Sequence, residues 1–201
     1  YQGKIRNGLF RFLEKSAARR TDVLVCVAES LAEESRKMGL RPRKEIVCVP
    51  SAFDWDRFAR AGERRDAMRR ELGVAPGEVL AGKIARFFPL KGHDQLFEAM
   101  GPLFERCPHL RFVLVGGGDL QKHYEDLARR RGWEGKVLFT GLVAPARVAD
   151  LLGACDMLVH ASLREGLARA IPQAFACGLP VVAYGIDGTA DLVRNGETGF
   201  L

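Results

Sequence analysis

The stretch DMLVHASLREGLARAIPQAFACGLPVVA, residues 156–183, has a short apolar run at each end and a helical pattern between them. The two runs are rich in Val and Leu and nearly continuous in apolar residues, which is typical of strands buried on both faces. The middle segment is predicted to begin a helix near Leu167 or Ala168 and to end it at Cys177, because Gly178 follows. A strand, a helix and a strand in this order predict one βαβ unit of a parallel sheet.

Apolar runs of the same kind recur along the chain. The predicted strands lie at residues 22–28, 45–50, 78–85, 111–117, 136–141, 156–162 and 180–185. Helical patterns separate most of them, and the clearest, Asp94–Arg106, places its large apolar residues on one face. This alternation predicts an α/β fold with a Rossmann-like, doubly wound parallel sheet. Ligands of such sheets bind outside the carboxyl ends of the strands, near the point where the strand order reverses.

The composition is that of a globular protein with a basic excess. The 201 residues are 47% apolar and 28% charged, enough for one domain of ordinary size and a remainder. A net charge of +6 suits partners that carry phosphate, whether nucleotides, nucleic acid or an anionic membrane, and does not choose among them. The arginine clusters are interpreted as solvated helix faces, and the segment 57–70 as polar and exposed. These clusters lie at residues 19–20, 64–65, 69–70 and 129–131.

The cysteines and histidines indicate neither disulfides nor a metal site. The five cysteines are odd in number and scattered, and the four histidines show no metal-ligand spacing. The cysteines are therefore interpreted as small apolar residues in a reducing compartment, and we expect a cytoplasmic protein without a metal. No apolar stretch reaches the ~18 residues that a spanning helix needs. The start at Tyr1 and the end at GETGFL lead us to expect a piece of a longer chain.

The N-terminal segment Lys4–Arg20 is predicted to be a basic amphipathic helix. Its apolar side chains available for packing are Ile5, Leu9, Phe12 and Leu13. Such a helix can lie on a membrane surface or pack on a neighbouring domain, and the second is the more common use. Peripheral contact with the inner face of a membrane therefore stays an alternative here.

Two cations follow the predicted strand 78–85. Arg86 comes directly after it, and Lys91 stands at the mouth of the next helix in the segment GKIARFFPLKGHD, residues 82–94. A guanidinium can fork across phosphate oxygens, an ammonium supplies a point charge, and a helix N-terminus adds its dipole. The pattern predicts a diphosphate site, and the alternative is a pair of surface cations.

Two further turns follow predicted strands. Gly116 and Gly118 stand in VLVGGGD, residues 113–119, where glycine permits tight turning and close approach of the backbone to a ligand. Gly188 and Thr189 open a helical segment after the last predicted strand and are candidates for phosphate or sugar contacts. Both segments are also compatible with ordinary turn chemistry.

Glu165 and Gln173 are the polar candidates of the stretch quoted first. Eight residues along a helix span roughly 12 Å, so the pair could hold a sugar hydroxyl at one end of a ligand and a ribose diol at the other. Two carboxylates that act on one glycosidic bond usually lie closer, at about 5–9 Å, and here the second position is an amide. This argues against a glycosidase.

In order along the chain, these segments resemble the retaining glycosyltransferases of family 4, also called glycosyl transferases group 1. The segments that carry the resemblance are DVLVCVAES, KEIVCVPSAFDWDRF, ARFFPLKGHDQLFEAM, FVLVGGGDL, VLFTGLV, CDMLVHASLREGLARAIPQAFACGLPVVA and DGTADLVRNGETGFL. The family has the GT-B fold, two Rossmann-like domains that face each other across a cleft. The resemblance implies that residues 1–43 are the tail of the N-terminal, acceptor-binding domain with the linker. Residues 44–201 would be most of the C-terminal domain, which binds the nucleotide sugar.

The resemblance also implies roles for individual residues. Arg86 and Lys91 would hold the diphosphate and stabilise its charge as it leaves. Glu165 matches the first Glu of the family's E-x7-E motif and would contact the transferred sugar. Gln173 replaces the second Glu, which typically holds the ribose hydroxyls, so that bond would lack charge assistance. The segment Ser51–Asp54 departs from the usual Asn-Gly-Ile-Asp of the linker.

The remaining implied contacts are those of the nucleotide. The family pattern would place a glycine turn near the site, apolar residues near the base and backbone amides at the phosphates. These residues are Gly116, Gly118, Leu142, Val143, Leu167 and Ala168. Gly188 is a further candidate from its own turn.

The resemblance implies a hexosyltransferase type of enzyme in polysaccharide biosynthesis. A nucleoside diphosphate sugar would be the donor, and a glycan or a lipid-linked sugar the acceptor, with no metal and no nucleic acid. Two alternatives stay open. The chain alone could be an inactive donor-binding module, or the fold could serve a sugar-nucleotide epimerase, which the Glu165 loop fits less well.

Overall fold

The computed structural model describes residues 4–201, with side chains from Arg6 onward. The chain divides into two compact units, one that ends at Ala52 and one that runs from Phe53 to Leu201. This boundary differs from the predicted one at 43/44, because the strand at 45–48 pairs within the first unit. That strand was expected to open the second domain.

The first unit is small. It consists of α1 (Lys4–Ala18), β1 (Val23–Cys26), α2 (Glu29–Lys37) and β2 (Glu45–Cys48). The two strands pair in parallel from Val23 opposite Glu45 to Cys26 opposite Cys48. The Val- and Cys-rich runs that predicted these strands therefore pair with each other.

The amphipathic helix predicted at the N-terminus is present as α1. Three of its apolar side chains are largely exposed: Leu9 by 57%, Phe12 by 68% and Leu13 by 50%. Their apolar surface is therefore accessible to a binding partner. The side chain of Ile5 lies outside the described residues. In residues 4–201, no helix has both the length and the apolar character needed to cross a bilayer.

The second unit alternates strands and helices. Its strands are β3 (Val79–Ile84), β4 (Leu110–Val115), β5 (Val137–Gly141), β6 (Met157–His160), β7 (Val181–Ala183) and β8 (Gly199–Phe200). Its α-helices are α3 (Trp55–Ala59), α4 (Arg65–Glu71), α5 (His93–Arg106), α6 (Gln121–Arg130), α7 (Pro145–Ala154) and α8 (Ala170–Ala176). Two short 3-10 helices cover Ala61–Arg64 and Asp187–Thr189.

The six strands form one parallel sheet in the order β5-β4-β3-β6-β7-β8. The chain builds outward from β3 in one direction and then crosses back to build outward from β6 in the other. This is the doubly wound, Rossmann-like order, and the point where it reverses lies between β3 and β6. The predicted fold class is confirmed.

Successive residues of the central strands bury into opposite faces of the sheet. In β4, which is fully buried, Val113 packs into a cluster with α7 and α8, while Phe112 and Leu114 pack into a second cluster with α5. Leu96, Phe97, Met100 and Phe104 form the buried face of α5, as its sequence pattern predicts. Helices therefore pack on both faces of the central strands, and ligands of such sheets bind outside the carboxyl ends of the strands.

Candidate functional site

The loop that follows β3 is held by the glycine turn that follows β4. The Phe87 N–H donates to the Gly117 carbonyl at 3.0 Å. Gly116 and Gly118 have φ values of 144° and 148°, and a Cβ on them would lie 2.2 Å from the Ala85 oxygen and 2.6 Å from the Phe87 oxygen. Only glycine permits so close an approach. These glycines therefore pack against the neighbouring loop, and they position it.

Arg86 lies in this loop with an exposed side chain. Its guanidinium lies 4.8 Å from the centroid of the Phe88 ring, in a cation–π contact. Within residues 4–201, Arg86 has no carboxylate partner. An arginine stacked on a ring and not paired with an acid keeps its donors available for phosphate oxygens.

Lys91 and Glu165 meet across the point where the strand order reverses. Lys91 follows β3 and Glu165 follows β6, and the Lys91 Nζ lies 2.7 Å from the Glu165 Oε1. Their side chains are 25% and 15% exposed, so the pair is mostly withdrawn from water. The structure thus brings together two site residues that are 74 positions apart in the sequence.

The loop that carries Glu165 is fixed on both sides. The Glu165 N–H donates to the Asp187 Oδ2 at 2.8 Å, and the Leu163 N–H donates to the Leu90 carbonyl at 2.8 Å. Asp187 has a φ of 45°, a conformation that Asp tolerates better than most side chains. Gly188, the predicted contact, lies next to it and is buried.

The Glu165 carboxyl is held in its ionised form. Burial by itself raises its pKa, but the interactions with His160, Lys91 and Ser162 outweigh burial and lower the pKa to about 2. His160 Nε2 is 3.5 Å from the same oxygen that Lys91 contacts. An ionised carboxylate only accepts hydrogen bonds. It can accept hydrogen bonds from hydroxyl groups, and in this form it has no proton to donate.

The helix that follows Glu165 begins later than predicted. It starts at Ala170, so Leu167 and Ala168 lie in the preceding loop instead of at the helix start. Glu165 is likewise off the helix, and the separation of 12 Å expected for a shared helix with Gln173 does not apply. Gln173 lies on α8 and is half-buried. In the described chain, the Leu167 and Ala168 amides have no backbone acceptor, so both can still donate to a ligand.

The loop after β5 contributes an apolar surface. Leu142 is 84% exposed, and a Cβ added to Gly117 would lie 3.3 Å from the Leu142 Cβ, so the two loops are neighbours. Val143 is half-buried against the core cluster that contains α7 and α8. Leu142 is therefore open to a planar base, whereas Val143 supports the loop from beneath.

Sequence reasoning missed a polar layer beneath the Lys91–Glu165 pair. The side chains of Lys83, His93, His160, Ser162 and Thr189 are all at least 97% buried. His160 and Ser162 act on the Glu165 carboxyl, whereas both ring nitrogens of His93 and the Thr189 hydroxyl lack a hydrogen-bond partner in the described residues. A charged or polar residue inside a buried strand, such as Lys83 in an otherwise apolar run, is the sequence signal that could have indicated this layer.

The structure thus places Lys91 beside an ionised carboxylate, with Arg86 in the same loop as Lys91. Arg86 and Lys91 can hold a diphosphate, and Glu165 can accept hydrogen bonds from a hydroxylated group next to it. Among the described residues, no group of three or more His, Cys, Asp or Glu side chains is arranged to hold a metal ion. The expectation of metal-independent chemistry stays a prediction.

Comparison with known proteins finds matches in one family of enzymes. The family described as glycosyl transferases group 1 matches residues 64–201. The D-inositol 3-phosphate glycosyltransferases of Rhodococcus erythropolis and Rhodococcus opacus are 34% and 36% identical to the chain. The alignments cover 94% and 92% of this chain but 44% and 45% of those proteins, so the chain spans less than half of their length.

Solved structures show the same likeness. The crystal structure of HepE from Anabaena in complex with UDP and glucose has a TM-score of 0.81 and 26% identity. That alignment covers 94% of this chain and 52% of HepE. Sucrose-phosphate synthase from Thermosynechococcus elongatus has a TM-score of 0.79 at 24% identity, covers 94% and 47% of the two chains, and shows the shared fold. With its parallel sheet as one half of a GT-B fold, the chain belongs to the glycosyl transferases group 1 family.

Proposed function

We propose that this chain is the donor-binding half of a glycosyltransferase. It binds a nucleoside diphosphate sugar, and the sugar is transferred with retention of anomeric configuration to an acceptor glycan or lipid. The single observation that carries the proposal is the Lys91–Glu165 pair at 2.7 Å, with Arg86 in the same loop as Lys91. A cation for the leaving diphosphate and an ionised carboxylate for the sugar thus lie side by side.

The roles follow from the chemistry of each group. Arg86 forks across diphosphate oxygens, and Lys91 has three N–H donors, so it can bind Glu165 and a phosphate oxygen together. As the bond to the sugar breaks, negative charge grows on the diphosphate, and both cations stabilise it more strongly than in the ground state. Gln173 accepts a hydrogen bond from the ribose without charge assistance.

Uridine is the base we propose to test first. The HepE structures hold UDP, UDP with glucose, and UDP-glucose, and they share 26–27% identity with this chain. The exposed Leu142 supplies an apolar surface for a base. The acceptor would bind to the N-terminal half, of which residues 1–52 are the C-terminal part. The cytoplasmic location remains an expectation from the cysteine pattern.

Calorimetry of this chain with UDP, GDP and ADP tests the proposal. We expect UDP to bind, and Lys91→Ala to abolish the binding. Lys122→Ala is the control, because Lys122 is exposed and pairs with Asp126. No binding of any of the three nucleotides would contradict the proposal.

A second candidate, an inactive donor-binding module, is favoured by the length of the chain. The chain covers 44% of the Rhodococcus erythropolis enzyme, and the acceptor site is expected in the other half. Binding of UDP-glucose without hydrolysis or transfer by this chain supports the module. Release of an epimerised sugar nucleotide would instead indicate an epimerase.

A further inference from the structure

Lys83 is a lysine inside the central strand of the sheet. It belongs to β3, its side chain is 1% exposed, and its Nζ donates to the Lys91 carbonyl at 2.8 Å. Within residues 4–201, no carboxylate lies in ion-pair contact with it. Burial of a lysine without a direct ion pair is costly, and an apolar residue would fill the same space at lower cost.

The Lys83 ammonium stabilises the backbone turn that presents Lys91. That turn contains two left-handed residues, Leu90 with a φ of 69° and Gly92 with a φ of 66°. Left-handed backbone is unfavourable for leucine, so the turn depends on surrounding contacts. One contact is the Leu163 N–H bond to the Leu90 carbonyl, and the Lys83 bond to the next carbonyl is another.

The charged groups that act on Lys83 come from three elements. Glu165 attracts its proton, Lys91 repels it, and His93 at the start of α5 lies close enough to feel its charge. His160 is on the neighbouring strand β6. Burial lowers the pKa of Lys83 to about 7, and burial lowers the pKa of His93 to about 3. His93 is therefore neutral above pH 5, whereas Lys83 is a cation at pH values below its own pKa.

We propose that Lys83 is a positioning residue of the donor site, which fixes the Lys91 turn and places an additional positive charge beneath the bound diphosphate. The inference rests on the proposed function, since it requires that a diphosphate binds beside Lys91. The inference goes beyond the proposed function because it gives a role to an interior lysine. Lys83 would stabilise the bound diphosphate by its charge, without contacting the ligand.

A linked protonation follows from this placement. Near pH 7 the free protein carries Lys83 in both its charged and neutral forms. A diphosphate carries two negative charges, so its arrival favours the charged form, and the protein takes up protons as the donor binds. Donor affinity therefore falls as the pH rises through the pKa of Lys83.

Calorimetry with UDP-glucose at pH 7.5, in buffers of different ionisation enthalpy, counts these protons. UDP-glucose is the probe because its diphosphate is esterified at both ends and lacks the ionisation that a terminal phosphate has at about pH 6. We expect an uptake of roughly half a proton, and an affinity about tenfold weaker at pH 8.5 than at pH 6, which corresponds to a pKa rise of about one unit on binding.

Two variants test whether Lys83 is the group that takes up the proton when the donor binds. Lys83→Met should bind UDP-glucose about tenfold more weakly at pH 6, without proton uptake and without pH dependence. Lys136→Met is the matched control, because Lys136 contacts the Phe104 ring outside the donor site, and it should retain the wild-type proton count. Lys83→Gln serves the same purpose if Lys83→Met does not fold.

The outcomes separate the two proposals. If wild-type protein binds UDP-glucose without proton uptake, or if a folded Lys83 variant keeps the uptake and the pH profile, the role of Lys83 is overturned while the donor site stands. If the wild-type chain binds neither UDP-glucose nor any free nucleotide at any pH, the proposed function fails and this inference fails with it.

Discussion

The two ends of the six-stranded sheet differ in how completely their charged side chains are paired. At the amino end, Asp156 accepts hydrogen bonds from Arg65, from Arg69 at 3.1 Å and from the Leu80 N–H at 2.7 Å. Nearby, Arg111 bonds to Glu78 at 3.0 Å, and further donors of these arginines meet backbone carbonyls. The arginines at 65 and 69, which sequence reasoning assigned to solvated faces, are therefore structural.

The carboxyl end leaves its charges incompletely paired. Arg86 has no acid partner in the described chain, and Lys83 is buried against a carbonyl. The buried hydroxyl of Thr189 has no hydrogen-bond partner there. Pairing at one end stabilises the fold, and incomplete pairing at the other is the pattern expected at a functional site, where local rules are broken.

The largest effect is expected from the cations of the carboxyl end. Arg86→Ala or Lys91→Ala should lower the rate of sugar transfer about 10²- to 10³-fold in an enzyme that has both halves, because each removes a donor to the developing charge. Thermal unfolding should change little for Arg86→Ala, whose side chain is exposed. Turnover at the wild-type rate in either variant would remove that residue from the donor site.

The next largest effects are expected from replacing an aspartate by asparagine at each end of the sheet. Asp156→Asn should cost about 2 kcal/mol of unfolding free energy, because Arg65 and Arg69 lose their anion. UDP affinity should stay within about twofold of the wild type, since no donor-site residue moves. Asp187→Asn should do the reverse, with several-fold weaker UDP binding, because an amide oxygen accepts the Glu165 N–H bond without charge assistance and holds that loop less firmly. Urea denaturation and calorimetry on both variants measure the contrast, and equal losses of stability would break it.

Lys83 should make the free energy of unfolding depend on pH. Burial lowers its pKa from the ordinary value of 10.5 to about 7 in the folded protein, so above pH 7 the unfolded chain binds more protons than the folded one. Stability should therefore rise with pH, by roughly 1–2 kcal/mol between pH 7 and 8.5. Urea midpoints over that range test this, and Lys83→Met should remove the slope. The range stops at 8.5 because burial raises the pKa of Cys155 and Cys177, so their ionisation in the unfolded chain reverses the trend.

The smallest effect concerns the position where the family pattern has a carboxylate. Gln173→Glu should strengthen UDP binding by about three- to tenfold, because a charge-assisted bond to a ribose hydroxyl replaces a neutral one. The comparison of UDP with 2′-deoxy-UDP should show a larger difference in the variant than in the wild type. An unchanged affinity for both nucleotides would separate Gln173 from the ribose.

Sequence reasoning predicted the fold because strand periodicity is a local property. Short runs such as DMLVHAS and RFVLVGG are apolar over the length of a strand, and the ends of β6 and β4 lie within two residues of the predicted ends. It predicted Arg86, Lys91 and Glu165 as site residues because each follows a strand, and the structure brings Lys91 and Glu165 into contact. It misplaced the start of α8, since the loop 161–169 is set by contacts with Leu90 and Asp187, which are distant in sequence.

The amino-acid sequence by itself determined the alternation of strands and helices and the parallel sheet, because burial pattern and turn chemistry act over a few residues. Only the tertiary structure decided which charges pair and which stay available. Arg65 and Arg86 look alike in sequence, yet one is neutralised by Asp156 and the other lies in a loop without an acid. The pairing of a charge depends on side chains that the fold brings close, and at the reversal of strand order it brought Lys83, Lys91 and Glu165 together.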